Sequence, residues 1–163
     1  MTFTIVIDTR EKAPFAFAQM DVPIERRALA TGDYSISGLE EKITIERKSL
    51  VDLFGSCGKG RARFEAEIER MAAYQHAAIV CEADWQTILR NPPGRCRLNP
   101  RSIFASIVAW NQRYGVHFWP CVNRAFAEKA TYRILERFYR DFMDGRYSKG
   151  NSNDGDKGAP ACT

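Results

Sequence analysis

The sequence predicts an α/β domain in which a mixed sheet carries helices on both faces. Three observations carry this. Short β-type runs alternate along the chain with amphipathic helical stretches. Two of those runs flank a Gly-containing turn signal at Ser37–Glu41 and read as a hairpin. The stretch Ala77-Ala78-Ile79-Val80-Cys81 is apolar throughout and reads as a buried strand.

Taken in order, Phe3 to Asp8 is a strand with Phe3, Ile5 and Ile7 on one face and Thr4, Val6 and Asp8 on the other. Asp8 ends it, where open α/β sheets place ligands, although Asp is also a common cap. Arg10 and Glu11 follow, with Arg10 either a phosphate contact or a solvated charge. Residues 12–23, with Pro14 and Pro23, connect to a strand over Ile24–Leu29, and Phe15 and Phe17 read as core cover. After the hairpin, Ser49-x-x-Asp52 starts a helix as a capping box with Asp in place of Glu.

Residues 55–63, with three glycines, read as a flexible loop interrupting that helix. The spacing around Gly58-Lys59 is wrong for a nucleotide-binding loop, and no strand precedes it. Lys59, Arg61 and Arg63 there suit a nucleic-acid backbone, against the alternative of a solvated loop. Ala62 to Tyr74 is an amphipathic helix on Phe64, Ile68 and Met71. A strand over His76–Ala83 follows, and Asp84 caps a helix over Trp85–Arg90. Arg95, Arg97 and Arg101 form a second basic cluster. Asn99-Pro100 opens a helix ending at Gly115, with Ile103, Ile107 and Trp110 as its apolar stripe. Val116 to Val122 is a strand. Arg124 to Met143 is a long helix with Phe126, Ala130, Ile134 and Phe138 along one side, broadened by Leu135, Tyr139 and Phe142. Residues 146–163 are rich in Gly, Ser, Asn and Asp and predict a disordered polar tail.

The hairpin carries the chemistry. The register that puts apolar pairs on one face matches Ile36 with Ile43, Tyr34 with Ile45 and Asp33 with Glu46. Glu46 and Lys48 then share one face and Arg47 takes the other. Opposed like charges destabilise a sheet, and two carboxylates about 4 Å apart repel by roughly 4 kcal/mol at an effective dielectric of about 20. A shared proton or a divalent cation relieves this. Hard cations such as Mg²⁺ bind through one or two carboxylates plus substrate phosphates. Asp33 and Glu46 with Lys48 beside them therefore suit phosphodiester hydrolysis, Lys48 orienting water or neutralising charge. Arg47 points toward the interior or its rim and needs a structural partner, for which Asp52 is the candidate.

Composition sets the bounds. The chain has 163 residues and is 45% hydrophobic, enough for one domain with a core. A net charge of +4 and a pI near 8.9 fit a polyanionic partner without requiring one. Five scattered cysteines form no Cys-x-x-Cys pair and read as free thiols in a reducing compartment. No apolar run is long enough for a membrane helix and no export signal opens the chain, so a cytoplasmic or, in a eukaryote, nuclear protein is expected.

These residues also resemble a known family. Gly32-Asp33, twelve residues, Glu46-Arg47-Lys48, three residues and Asp52 is similar to the signature of the XPF-type structure-specific endonucleases. Asp8-Thr9-Arg10-Glu11 and the Gly60-Arg61 pair before a helix are similar as well, and the resemblance spans about residues 3–145. It implies a restriction-endonuclease-like fold and a Mg²⁺-dependent DNA endonuclease, with Mn²⁺ able to substitute, acting at branched or single-strand/duplex junctions. Such domains serve repair, recombination and phage DNA processing. The resemblance implies Asp33, Glu46 and Lys48 as the catalytic centre, Asp8 as a further metal ligand, and Arg47 and Asp52 in support. It also implies a dimer through the late helices, residues 103–142. Family members carry a helix-hairpin-helix module after the nuclease domain, and none follows residue 145 in this sequence. DNA binding is therefore expected to draw on Arg10, Lys59, Arg61, Arg63, Arg95 and Arg97, a dimer mate or an accessory protein. The alternative is a non-catalytic scaffold subunit of the same fold, from which lost acids would be expected, whereas all are present here.

Overall fold

The β-branched and aromatic runs at the centre of the sheet become strands because apolar neighbours cover their faces, whereas Ile24–Arg27 is exposed throughout and is held by edge pairing. The computed structural model describes residues 2–94 and 96–149. Its strands are β1 (Ile5–Asp8), β2 (Ile24–Arg27), β3 (Tyr34–Ile36), β4 (Ile43–Lys48), β5 (His76–Cys81) and β6 (His117–Pro120). They form one sheet in the order β2-β1-β3-β4-β5-β6. The β1–β3 and β3–β4 pairs are antiparallel, and β1–β2, β4–β5 and β5–β6 are parallel. Tyr34 pairs with Ile45, the register read from the sequence.

The helices are α1 (Leu50–Cys57), α2 (Arg61–Met71), α3 (Trp85–Arg90), α4 (Pro100–Tyr114) and α5 (Arg124–Met143). On one face, α5 covers Ile5, Ile7, Tyr34, Ile36, Ile43 and Ile45, with Phe15 and Phe17 completing that core. On the other, α1 to α4 bring Leu53, Phe64, Ile68, Ile103, Ile107 and Trp110 onto Ala77, Ile79 and Cys81. The mixed sheet with helices on both faces is as the sequence predicts. Asp84 caps α3, and Asn99 with Pro100 opens α4, which ends on Gly115 in the left-handed conformation.

Four expectations are corrected in detail. The Gly-rich loop over 55–63 shrinks to Gly58-Lys59-Gly60, because α1 continues through Gly55 to a buried Cys57 and Gly58 N–H caps Phe54 O at 3.0 Å. Arg61 and Arg63 thus belong to the first turn of α2. The Ile24–Leu29 strand stops at Arg27, since Leu29 N–H donates to the Asp8 side chain instead of to a neighbouring strand. On α5 the fully buried row is Ala127, Thr131, Leu135 and Phe138, while Phe126 is 53% exposed. Small residues at 127 and 131 let the helix sit close to the sheet, which turns Phe126 outward. Finally, Arg146–Lys149, placed in the tail by composition, form a 3-10 turn with the Tyr147 ring 4.7 Å from Phe138. The remainder of the expected tail, including Cys162, lies outside the described residues. Cys57, Cys81, Cys96 and Cys121 are free thiols, and no helix among the described residues is long and apolar enough to cross a membrane.

Asp33 occupies the junction of the antiparallel strands. Its N–H donates to Ile45 O and its carbonyl accepts from Asp8 N–H, both at 2.8 Å, so it ties β4 to β1. Gly32 makes this approach feasible. It has φ 74°, and a Cβ there would lie 2.1 Å from Thr44 Oγ1 and 3.1 Å from Ile45 O. Thr44 Oγ1 is itself held by donating to Thr31 O at 2.9 Å. Gly32→Ala is therefore expected to cost at least about 2 kcal/mol, from the left-handed backbone and the clash together. Urea unfolding midpoints compared with wild type check this.

Candidate active site

The carboxyl ends of β1 and β4 and the start of β3 open onto a cleft of about 470 Å³. Its lining includes Asp8, Arg10, Asp33, Glu46, Lys48, Asp52, Glu67 and Arg70. The antiparallel register sets Asp33 across from Glu46, and strand alternation aims Glu46 and Lys48 into the cleft. Lys48 Nζ lies 2.6 Å from Glu46 Oε1 and 4.5 Å from the Phe64 ring centre. Arg47 N–H donates to Asp33 Oδ2 at 2.8 Å, so the backbone of β4 fixes that carboxylate.

Burial pushes the Asp33 carboxyl up to about 7, with Glu11 and Glu67 adding to the rise and Arg47 N–H and Lys48 opposing it. Burial and then the neighbouring Asp33 push Glu46 well above the usual carboxylate range. Burial works against the charge of Lys48, yet Glu46, followed by Glu67 and Asp33, outweighs it and holds the ammonium above its ordinary range. The two carboxyls thus resist ionising together, and a neighbouring cation would let them.

Asp8 is only 1% exposed, and all its acceptor capacity is in use. Oδ1 accepts from Arg10 N–H at 2.7 Å and Arg10 Nε at 2.8 Å. Oδ2 accepts from the Arg10 guanidinium at 3.0 Å and Leu29 N–H at 2.7 Å. Burial alone would raise this carboxyl; the Arg10 side chain and the Leu29 and Arg10 N–H groups outweigh it and hold it low. A cation at Asp8 would have to displace Arg10. Among the described residues, no group of three or more Asp, Glu, His or Cys side chains gathers in a metal-holding arrangement. The donors that do fit a hard cation are Asp33 and Glu46, a two-carboxylate set that water and phosphate oxygens can complete.

Arg47 faces the α5 side, as its alternation demands, but its partner is not Asp52. Its Nε donates to Glu82 Oε1 at 2.7 Å, and Glu11 lies 3.6 Å from its guanidinium. The parallel pairing of Lys48 with Cys81 delivers Glu82 to this position. Asp52 instead bonds Ser49 Oγ at 2.6 Å and completes the cap of α1. Glu82 also pairs with Arg124, which donates to Ala13 O and Pro14 O and lies over Phe15.

Of the expected DNA contacts among the described residues, Arg10 alone lines the cleft. Arg61 is exposed but tied down, donating to Ser106 Oγ at 2.6 Å and lying over the Trp110 ring. Lys59, Arg63 and Arg97 are exposed, and Arg95 lies outside the described residues. The sequence reading missed Glu67 and Arg70, which enter the cleft from α2. Glu67 lies one turn after the buried Phe64, and this flanking position is the only signal it gives in the sequence.

The ERCC4 domain matches residues 7–134 of the chain. Among solved structures, XPF from Aeropyrum pernix is similar over 90% of this chain and 70% of that one, at 22% identity and a TM-score of 0.68. XPF from Aeropyrum pernix in complex with DNA is similar over 87% of this chain and 66% of that one, at 23% identity and a TM-score of 0.62. This likeness shows the fold, which is restriction-endonuclease-like. No curated protein matches the chain.

The ion pairs separate support from chemistry. Arg47→Ala leaves the nearly buried Glu82 with Arg124 as its remaining partner and is expected to cost about 1–3 kcal/mol. Asp52→Ala removes an exposed contact and is expected to cost less than about 1 kcal/mol. A double-mutant cycle by chemical denaturation should find coupling between Arg47 and Glu82 and none between Arg47 and Asp52.

Proposed function

The chain belongs to the ERCC4 domain family as an XPF-type nuclease domain, and on that premise we propose that it is a metal-dependent DNA endonuclease cutting at branched or single-strand/duplex junctions. The observation that carries the reading is the crowding of Asp33 and Glu46 beside Lys48 at the rim of an open cleft. The DNA in the Aeropyrum pernix XPF complex supports DNA as the partner.

Asp33 and Glu46 would hold Mg²⁺, or Mn²⁺ in its place. When bound, such an ion polarises a phosphoryl oxygen and lowers the pKa of water. Lys48, kept charged by Glu46, orients the attacking water and offsets the charge that develops on the phosphate. Arg47 acts through its backbone N–H, which holds Asp33 in place, while its side chain braces the sheet against α5. In this reading Asp8 serves as a metal ligand, as the resemblance implies, only where Arg10 gives way. It anchors Arg10 at the cleft rim, where the 67% exposed guanidinium can meet a phosphate. Lys59, Arg63 and Arg97 add exposed charge for the backbone, and Arg61 contributes less because Ser106 and Trp110 hold it. A homodimer through the late helices would cover the apolar groove of about 450 Å³ that Phe126, Ile134, Phe138 and Trp119 line.

The test is cleavage of flap, fork, duplex and single-stranded DNA with Mg²⁺, with Mn²⁺ and with chelator. Wild type is expected to cut the junction substrates and to stop with chelator. Asp33→Asn and Glu46→Gln should be silent, and Lys48→Ala should fall by roughly 10²–10⁴-fold while still binding DNA. Persistent cutting by Asp33→Asn would refute the site. A wild type silent on every substrate would favour the scaffold alternative.

A further inference from the structure

Charge is unevenly distributed along the chain. Between Asp84 and Glu128 lie 43 residues with six arginines and no Asp, Glu or Lys. The whole chain carries only +4, so everything outside this segment is net acidic. The choice of Arg matters, because its planar fork matches phosphate geometry and is weakly hydrated. Arg113 and Arg124 are engaged internally, by Glu65 and Glu82. Arg90, Arg97 and Arg101 are exposed, and none has an acidic partner among the described residues.

The same segment brings aromatic rings to the surface. Arg101 and Phe104 are three apart on α4 and share a face. Phe104 is 47% exposed. Its ring meets Trp85 of α3 edge to face at 5.1 Å, and Trp85 in turn leans on Phe118 of β6 at 5.2 Å. The cluster therefore holds the Phe104 ring in position while nearly half of it stays in water. Next to it, α3 begins just past Glu82, whose N–H donates to the carbonyl of Lys48 at 2.8 Å. The surface is thus reached from the same end of the sheet as the cleft.

We propose that this arginine and aromatic surface of α3 and α4 binds an unpaired DNA strand running to or from the cleft, an inference that rests on the nuclease reading above. A duplex hides its base faces in its own stack and offers a side chain only phosphates and groove edges. An unpaired strand offers a base to Phe104 while Arg97 and Arg101 hold its phosphates. The lack of acids within the segment lowers the repulsion such a strand would otherwise meet, Asp84 at the cap of α3 being its nearest acid in the chain.

The test is fluorescence anisotropy of the full chain with labelled oligothymidylate and with a duplex of equal length, in chelator so that both stay intact. Phe104→Ala is expected to weaken oligothymidylate binding by roughly tenfold and to leave duplex binding unchanged. Phe104→Tyr, which keeps the ring, should bind as wild type does. Arg97→Ala and Arg101→Ala should each lower the salt dependence by about 0.7 in the log–log slope. Undiminished strand binding by Phe104→Ala and by the two arginine variants would overturn the proposal. So would a change of sedimentation in Phe104→Ala without loss of strand binding, because the surface would then join copies of the chain. Phe104-dependent strand binding in a chain that never cuts would sustain this surface and refute the nuclease reading. Cutting by Phe104→Ala with full strand affinity would do the reverse.

Discussion

Two carboxylates facing each other across adjacent strands are the constraint on which this structure turns. Asp33 and Glu46 meet because Gly32 lets the chain pass tightly over Thr44 and Ile45, and because Asp33 bonds through its backbone to both β1 and β4. Like charges directly opposed on neighbouring strands destabilise a sheet, and burial makes each charge costlier still. Lys48 offsets part of this from the Glu46 side, yet burial above all, with Glu11 and Glu67 at Asp33 and with Asp33 at Glu46, keeps both carboxyls above their ordinary range. The fold thus holds a local electrostatic cost at the rim of an open cleft, where a divalent cation and a phosphate would relieve it.

The support around this pair is built from the alternation of one strand. β4 sends Glu46 and Lys48 into the cleft and turns the Arg47 side chain to the other face of the sheet, where Glu82 and Glu11 receive it at the cleft's edge. Glu82 is shared with Arg124 at the start of α5, and both arginines lie over Phe15. The loop after β1, the end of β5 and the long helix are therefore braced against the same strand that carries the chemistry. Asp8 does a comparable job on the other flank. It holds Arg10 and the chain at Leu29, so that the segment leading to Gly32 has a fixed approach.

What the sequence made legible was local and periodic. The period of two across Tyr34, Ile36, Ile43 and Ile45 was enough to set the hairpin register and hence to bring Asp33 opposite Glu46. It was enough to put the Arg47 side chain on the other face of the sheet from Glu46 and Lys48. It was not enough to name Glu82 as the partner, because the register between β4 and β5 is set across a crossover of two helices and leaves no local mark. Glu67 was hidden for the same reason: a surface position on α2 says nothing about which end of the sheet it faces. The Asp8-x-Arg10 spacing also allows a bidentate pair, and nothing local in the sequence distinguishes that from a metal ligand. At Gly55 the reading failed on propensity. Glycine costs a helix about 1 kcal/mol relative to Ala, and the burial of Leu53, Phe54 and Cys57 outweighs it.

The raised Asp33 carboxyl fixes the sign of the pH behaviour. Its proton stabilises the metal-free fold fully below about pH 4, and this contribution is lost as pH rises through about 7. A cation bound by Asp33 and Glu46 must therefore displace a proton at moderately acid pH. Calorimetric titration with Mn²⁺, in buffers of different ionisation heat, counts that proton directly. Near about pH 6 the account predicts net proton release that shrinks near about pH 8 and drops with Asp33→Asn. Binding without proton release at either pH, or release unaltered by Asp33→Asn, would contradict it.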